Sequence, residues 1–295
     1  MMTTNDMPTV IIGQDMSPQL AADVSIALQG MGVAVRASGF APPAPQAKVI
    51  VVISPKGGSG KTAVSANLSV ALAKRHPGRV VAVDLDVQFG DLATSMSLTP
   101  EHTLAQLSRA TQIDVTTVKL FLTLHYNGLY VLAGANDPVD ADSIGHAHVT
   151  QVLPLLAQNF SYVIVDTPSG LDERTLAAIE CATDLLLVSS LDVTSIRSLR
   201  KELDTLDHMG IKTPRQLVLN RADSKVGLNA SDAEEAIGMK IACSIPSSRE
   251  IPLSLNLGTP VVISEPKSAV AKQIELLSQL FAPLEATKTR KGQRR

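Results

Sequence analysis

Residues 54–62, SPKGGSGKT, concentrate more potential chemistry than any other stretch of the chain. Gly57, Gly58 and Gly60 carry no side chains, so backbone N–H groups there can approach an anion closely. Ser59 and Ala63 belong with the glycines to the expected nucleotide-binding set. Lys61 offers a cation to the β and γ oxygens of a polyphosphate. Thr62 offers a hydroxyl to Mg²⁺, a hard ion that prefers oxygen. The apolar run KVIVVIS leads in and a helical pattern follows, which is the context a phosphate cradle requires. The positive end of that helix adds to the attraction. The loop opens, however, on Pro55 and a second lysine, Lys56, and on no glycine.

Three further segments carry side chains suited to the same chemistry. VDLD places Asp84 and Asp86 one residue apart. Strand alternation puts both carboxylates on one side, towards the loop. One of the two could orient a water for attack on a terminal phosphate, and Asp84 is also a candidate for the metal site. Either acid alone also reads as a cap or a solvated loop residue. VIVDTPSG ends an apolar run in Asp166, whose carboxylate would hold Mg²⁺ directly or through water. Residues 167–170 then form a loop that senses the terminal phosphate. LVLNR ends in Asn220, whose amide offers the donor and acceptor that an adenine edge requires. An Asn ending a strand is also an ordinary turn former. Arg221 beside it, and Pro246 after the last apolar run, complete the expected nucleotide-binding set.

Elements that would position these residues can be read from periodicity. Strands are expected at 9–13, 32–37, 48–54, 79–86, 129–133, 162–168, 184–190, 216–222 and 239–246. Helices are expected at 18–31, 61–75, 149–159, 174–181, 196–209, 231–237 and 268–284, with a helical stretch that includes 116–124. Strands alternate with helices and few turns suggest hairpins. The fold class is therefore α/β, a doubly wound, mostly parallel sheet with helices on both faces. In such sheets ligands sit at the carboxyl ends of the strands, where every candidate above falls. Residues 1–46 read as a short β-α-β piece closed by the linker APPAPQ, too small for a core of its own. Residues 47–285 form the main domain, and 286–295 form a basic tail.

Composition agrees with that architecture. Of 295 residues, 45% are hydrophobic but only 3% aromatic, with no Trp, so the core must be aliphatic. The net charge of −2 excludes a chain that is basic throughout, though not a local basic patch. Cys181 and Cys243 are far apart and read as buried free thiols in a reducing compartment. No apolar run is long enough to span a membrane, and the first residues lack a signal pattern. A cytoplasmic protein is expected.

KGGSGKT resembles the deviant Walker A motif of the MinD/ParA family of ATPases, and the likeness runs from about Lys48 to Leu284. DLDVQFGDL resembles that family's second acidic segment, VDTPSG its Walker B, and SIPSSREIPLSLNLGTPVV its closing stretch. This resemblance implies a P-loop NTPase fold, with ATP and Mg²⁺ as cofactors. It also implies slow, activator-dependent ATP hydrolysis coupled to homodimerisation. By the same resemblance Lys56 crosses to the partner's phosphates and Asp86 orients the attacking water. An ATP-bound monomer holds uncompensated phosphate charge, and a cation supplied by the second copy rewards pairing. PSGLDERT, LVLNRAD and the N-terminal segment look like the CpaE/TadZ branch, whose members help assemble Flp/Tad pili. That resemblance implies protein partners of a secretion, pilus or positioning system, and recruitment to the cell pole or the inner membrane face. Two other readings stay open: a partition or division-site ATPase that binds DNA or membrane, and a non-hydrolysing nucleotide-binding scaffold. The tail KTRKGQRR, five basic residues in eight, is either a weak DNA or lipid contact or a solvated end.

Overall fold

The computed structural model describes residues 9–12, 34–37, 47–88, 90–135, 137–223 and 228–282. The chain divides into two units, Met1–Gln46 and Ala47–Arg295. In the first, strands β1 (Thr9–Ile12) and β2 (Ala34–Ala37) pair in parallel, with Thr9 opposite Ala34. The helix expected at 18–31 lies outside the described residues, as does the basic tail.

The second unit contains β3 (Lys48–Ile53), β4 (Val80–Asp84), β5 (Thr123–Leu124), β6 (Leu129–Leu132), β7 (Tyr162–Asp166), β8 (Asp184–Ser190), β9 (Arg215–Asn220) and β10 (Ile241–Ile245). They form one sheet in the order β10-β9-β8-β3-β7-β4-β6-β5. Every described pairing is parallel except β5 with β6. Its longer helices are α1 (Lys61–Arg75), α2 (His146–Ala157), α3 (Glu173–Cys181), α4 (Val193–His208), α5 (Ala230–Ile237), α6 (Glu250–Asn256) and α7 (Ala269–Phe281).

Why the sheet is parallel is visible in single strands. Val49, Val51 and Ile53 join one core cluster, while Ile50 and Val52 join the other. The same division separates Val81 and Val83 from Val80 and Ala82 on β4. A strand apolar on both faces must be covered on both. Helices α2 to α5 cover one face and α1 with α7 the other. The core is aliphatic, as composition requires, with leucine and isoleucine dominant among its largest fully buried side chains.

Four expectations are corrected in detail. The helical stretch expected to reach Leu124 ends at Leu120, and Thr123–Leu124 pairs antiparallel with β6. A free strand edge offers those two residues backbone partners that a longer helix would not. The turn between them uses Gly128 at φ 83, a conformation in which a Cβ would be strained. Strand β4 stops at Asp84 because that carboxylate accepts the backbone N–H groups of Asp86 and Leu92 and turns the chain. The closing stretch, expected as a loop and a turn, contains α6 and a short helix at Val261–Ser264. In α7 the residues Val270, Ile274, Leu277 and Phe281 are buried as expected, but Leu280 is 48% exposed and lies off the core stripe.

Candidate active site

The carboxyl ends of β3, β4, β7 and β9 bring the sequence candidates to one edge of the sheet. The loop after β3 enters α1 through Gly60, which caps the helix at φ 94. Gly58 stands at φ 73. A Cβ on Gly60 would also collide with the side-chain amide of Asn220, so glycine is required there twice over. Lys61 is the first residue of α1 and only 7% exposed. Burial lowers its pKa, opposed by the negative charges of Asp166, Asp86 and Glu202.

Asp166, at the end of β7, is fully buried. Thr62 Oγ1 donates to its Oδ2 at 2.7 Å, and Ser65 Oγ donates to its Oδ1 at 2.7 Å. Ser65 was not singled out from the sequence, yet the signal was present. It lies three residues after Thr62, on the same face of a helix. Burial raises the Asp166 pKa against those hydrogen bonds and the Lys61 charge. Asp84 is its cross-strand neighbour in the β4–β7 register and is 2% exposed. Burial, then the Asp166 carboxylate, push Asp84 well above the usual carboxylate range, against its two backbone donors. Both Asp84 oxygens are engaged by the loop after β4, at 3.1 Å from Asp86 N and 3.2 Å from Leu92 N. Gly90 is where that loop passes closest: a Cβ there would strike the Asp84 carboxylate. Asp84 thus clasps the loop that carries Asp86. Asp86 itself lies beyond the strand, so strand alternation does not place the pair side by side. It is half-buried, and its charge bears on both Lys61 and Asp166.

The residues present fit a polyphosphate with a divalent cation. Ser59 Oγ is buried in the loop with no hydrogen-bond partner among the described residues. Buried hydroxyls are nearly always satisfied by protein, water or a bound group, and a phosphate oxygen is one acceptor that this one could meet. The glycine backbone, Lys61 and that hydroxyl would take phosphate oxygens. Thr62 and Asp166 are hard oxygen donors of the kind Mg²⁺ selects, and the ion would neutralise charge on the phosphates.

Gly60, Ala63, Asn220, Arg221 and Pro246 line one cavity of about 220 Å³ beside the loop. Ile251, Pro252 and Leu255 of α6 complete its apolar wall. The sequence reading missed those three because they sit in a stretch taken for a loop. Asn220 is less available than expected. Its Nδ2 donates to Ser59 O at 2.8 Å, and its Oδ1 accepts from Arg221 N at 3.0 Å. The amide therefore ties β9 to the phosphate loop, with one N–H and one lone pair remaining. Arg221 adopts φ 53, rare for a residue with a side chain.

Lys56 stands apart from this cluster. Its Nζ donates to Thr194 Oγ1 at 2.6 Å, at the start of α4. On the inner face of α4, Glu202 is 7% exposed and its Oε1 has no hydrogen-bond partner among the described residues. Burial pushes its pKa up to about 7 against the Lys61 charge.

A loop of this form between a central strand and a helix, with a carboxylate at the head of the adjacent strand, defines a P-loop ATPase. A family model described as an AAA domain (AAA_31) matches residues 47–218, more than half of the chain. The chain belongs to that family, within the MinD/ParA group of deviant Walker A ATPases. It is 28% identical over 243 residues to the septum site-determining protein MinD of Thermotoga maritima, covering 78% of this chain and 86% of that one. A ParA family ATPase from Chlorobium tepidum TLS superposes with a TM-score of 0.74 at 25% identity, covering 79% of this chain and 98% of that one. The septum site-determining protein MinD from Pyrococcus horikoshii OT3, solved with Mg-ADP, gives 0.72 at 23% identity over 83% and 99% of the two chains. Among the described residues, no helix is long and apolar enough to cross a membrane.

Proposed function

We propose that this protein is an ATP-dependent dimerising switch with slow, activator-dependent turnover. The observation that carries the reading is the convergence of Lys61, Thr62 and Asp166 at the head of the central strands, with Thr62 Oγ1 2.7 Å from Asp166 Oδ2. Lys61 would bind the β and γ oxygens of ATP, and the loop N–H groups would cradle them. Mg²⁺ held by Thr62 and Asp166 would supply positive charge between the phosphates. Asp86 would orient a water towards the terminal phosphorus from the loop that Asp84 clasps. The apolar cavity beside Asn220 would take the base. Lys56 would act across the dimer, on the partner's phosphates. Loss of the terminal phosphate removes the charge that rewards pairing, so the dimer would separate after hydrolysis.

The sequence supports a finer reading. PSGLDERT, LVLNRAD and the N-terminal segment favour a CpaE/TadZ-like positioning role in Flp/Tad pilus assembly. A division-site role is the second reading, favoured by relatives named as septum site-determining proteins. The switch itself is tested by solution mass with ATP, with ADP and without nucleotide. Wild type should pair only with ATP, Lys56→Ala should stay monomeric, and Asp86→Ala should remain paired because ATP persists. A mass indifferent to nucleotide would leave the nucleotide-binding scaffold in its place.

A further inference from the structure

At the end of the sheet opposite the phosphate loop, a cavity of about 540 Å³ opens between α4, α5 and the amino end of β9. It is larger than the cavity of about 220 Å³ beside Asn220 and has the size of a small-molecule site. Arg215 begins β9 and lines this cavity, whereas Asn220 ends β9 and holds the phosphate loop. The length of that strand, about 17 Å, separates the two. The cavity is therefore no lobe of the nucleotide site.

Leu203, Ile211 and Met239 give the cavity an apolar wall, and Arg200, Lys212 and Arg215 line the same space. Both arginines are held by backbone. Arg200 Nη1 donates to Ile237 O at the end of α5 at 2.9 Å, and Nη2 donates to Asp204 Oδ1 at 2.6 Å. Arg215 Nη2 donates to Ile211 O at 2.7 Å, and Nη1 lies 2.7 Å from Asp207 Oδ1. Arginines close helix ends in this way. Those bonds use two of the five N–H groups of each guanidinium, so both retain donors in a fixed plane. Each arginine also has its own carboxylate. Lys212 is exposed and pairs with none among the described residues, so the charge in excess is positive.

Fixed guanidinium donors, an uncompensated ammonium and an apolar wall suit an anion joined to an apolar body. The planar guanidinium matches the spacing of phosphate oxygens. A phosphate monoester carries close to two negative charges near neutral pH, with three acceptor oxygens to share among three cations. We propose that this cavity is a second ligand site, for a small phosphate monoester with an apolar or aromatic body. Lys212 and the remaining N–H groups of Arg200 and Arg215 take the phosphate, and Leu203, Ile211 and Met239 take the body. The site is separate from the ATP chemistry and stands or falls independently of the switch.

The test uses 1-naphthyl phosphate, added to protein saturated with Mg-ADP so that the phosphate loop is already filled. Calorimetric titration should give one site per chain with a dissociation constant of about 1 mM or tighter. Inorganic phosphate lacks the body and 1-naphthol lacks the charge, so each should bind at least about 10-fold more weakly. Lys212→Glu should weaken binding of the probe by about 10-fold or more and leave ATP affinity unchanged, a sign that the fold is intact. Backbone amide resonances locate the probe: those of Gly210 and Gly238, which line the cavity, should shift. Shifts confined to Gly57, Gly58 and Gly60 would put the probe in the phosphate loop and overturn the proposal. Weaker binding than about 1 mM, equal affinity in Lys212→Glu, or inorganic phosphate binding as tightly as the probe overturns it as well.

Discussion

Lys56 and Lys61 share one loop but live in opposite surroundings. Lys61 is 7% exposed, locked at the first position of α1, and balanced by Asp166, Asp86 and Glu202. Lys56 is half-buried at the rim, held by a single hydroxyl on another helix. A buried cation is expensive to move and costly to leave unpaired, so Lys61 is fixed where its ligand must come. A rim cation in contact with water can change partners at little cost. On the proposed reading, one loop would separate binding from signalling by the depth at which its two lysines lie.

The largest expected effect that could break this contrast is at the buried lysine. Lys61→Ala should weaken ATP binding by about 100-fold or more, since it removes charge-assisted contacts in a dry site. Calorimetric titration measures it, and near-normal affinity would mean that the depth of Lys61 is incidental. Lys56→Ala should leave ATP affinity of the monomer within about 3-fold, as expected for a rim charge. A loss comparable to that of Lys61→Ala, in the same titration, would erase the distinction between them.

Glu202 sharpens the contrast through pH. Its folded pKa of about 7 lies above the ordinary glutamate value, so the native state retains a proton that the unfolded chain releases. Its stabilising contribution is full below the unfolded pKa and is lost as pH rises through about 7. Glu202→Gln should therefore gain about 3 kcal/mol over wild type at pH 8 and nearly nothing at pH 4. Denaturant melts at the two pH values check this, and a pH-independent difference would contradict it. A smaller change in stability is expected at Ser65→Ala. It deprives Asp166 of one of two hydroxyl donors and should cost about 1–2 kcal/mol of stability, read from the same melts.

The phosphate loop, both site carboxylates of β4 and β7, and the doubly wound order were legible because each depends on local pattern. Glycine spacing fixes where backbone can bend, and unbroken Val/Ile/Leu runs demand cover on two faces. Ser65 was legible in principle, one turn beyond Thr62. Thr194 and Glu202 were not. Each looks like an ordinary cap or helix residue, and its importance comes from a loop more than a hundred positions earlier. The α6 wall of the cavity was hidden for a related reason. Its residues EIPLSLN carry a proline and little periodicity, and Gly258 seats the turn after it against Ser97. The shortened β4 was hidden because its end is set by where the Asp84 carboxylate points, not by where the apolar run stops.

By itself the sequence determined the class of fold, the phosphate-binding chemistry and the edge of the sheet where they meet, because turn glycines and strand periodicity act over a few residues. Only the tertiary structure decided the duties of individual groups. It made Asp84 a clasp, turned Asn220 into a tie between β9 and the loop, and gave Lys56 a partner on α4. Hydrogen bonds to carboxylates and hydroxyls depend on angles and on tenths of an ångström. Those are fixed only when distant strands and helices close around them.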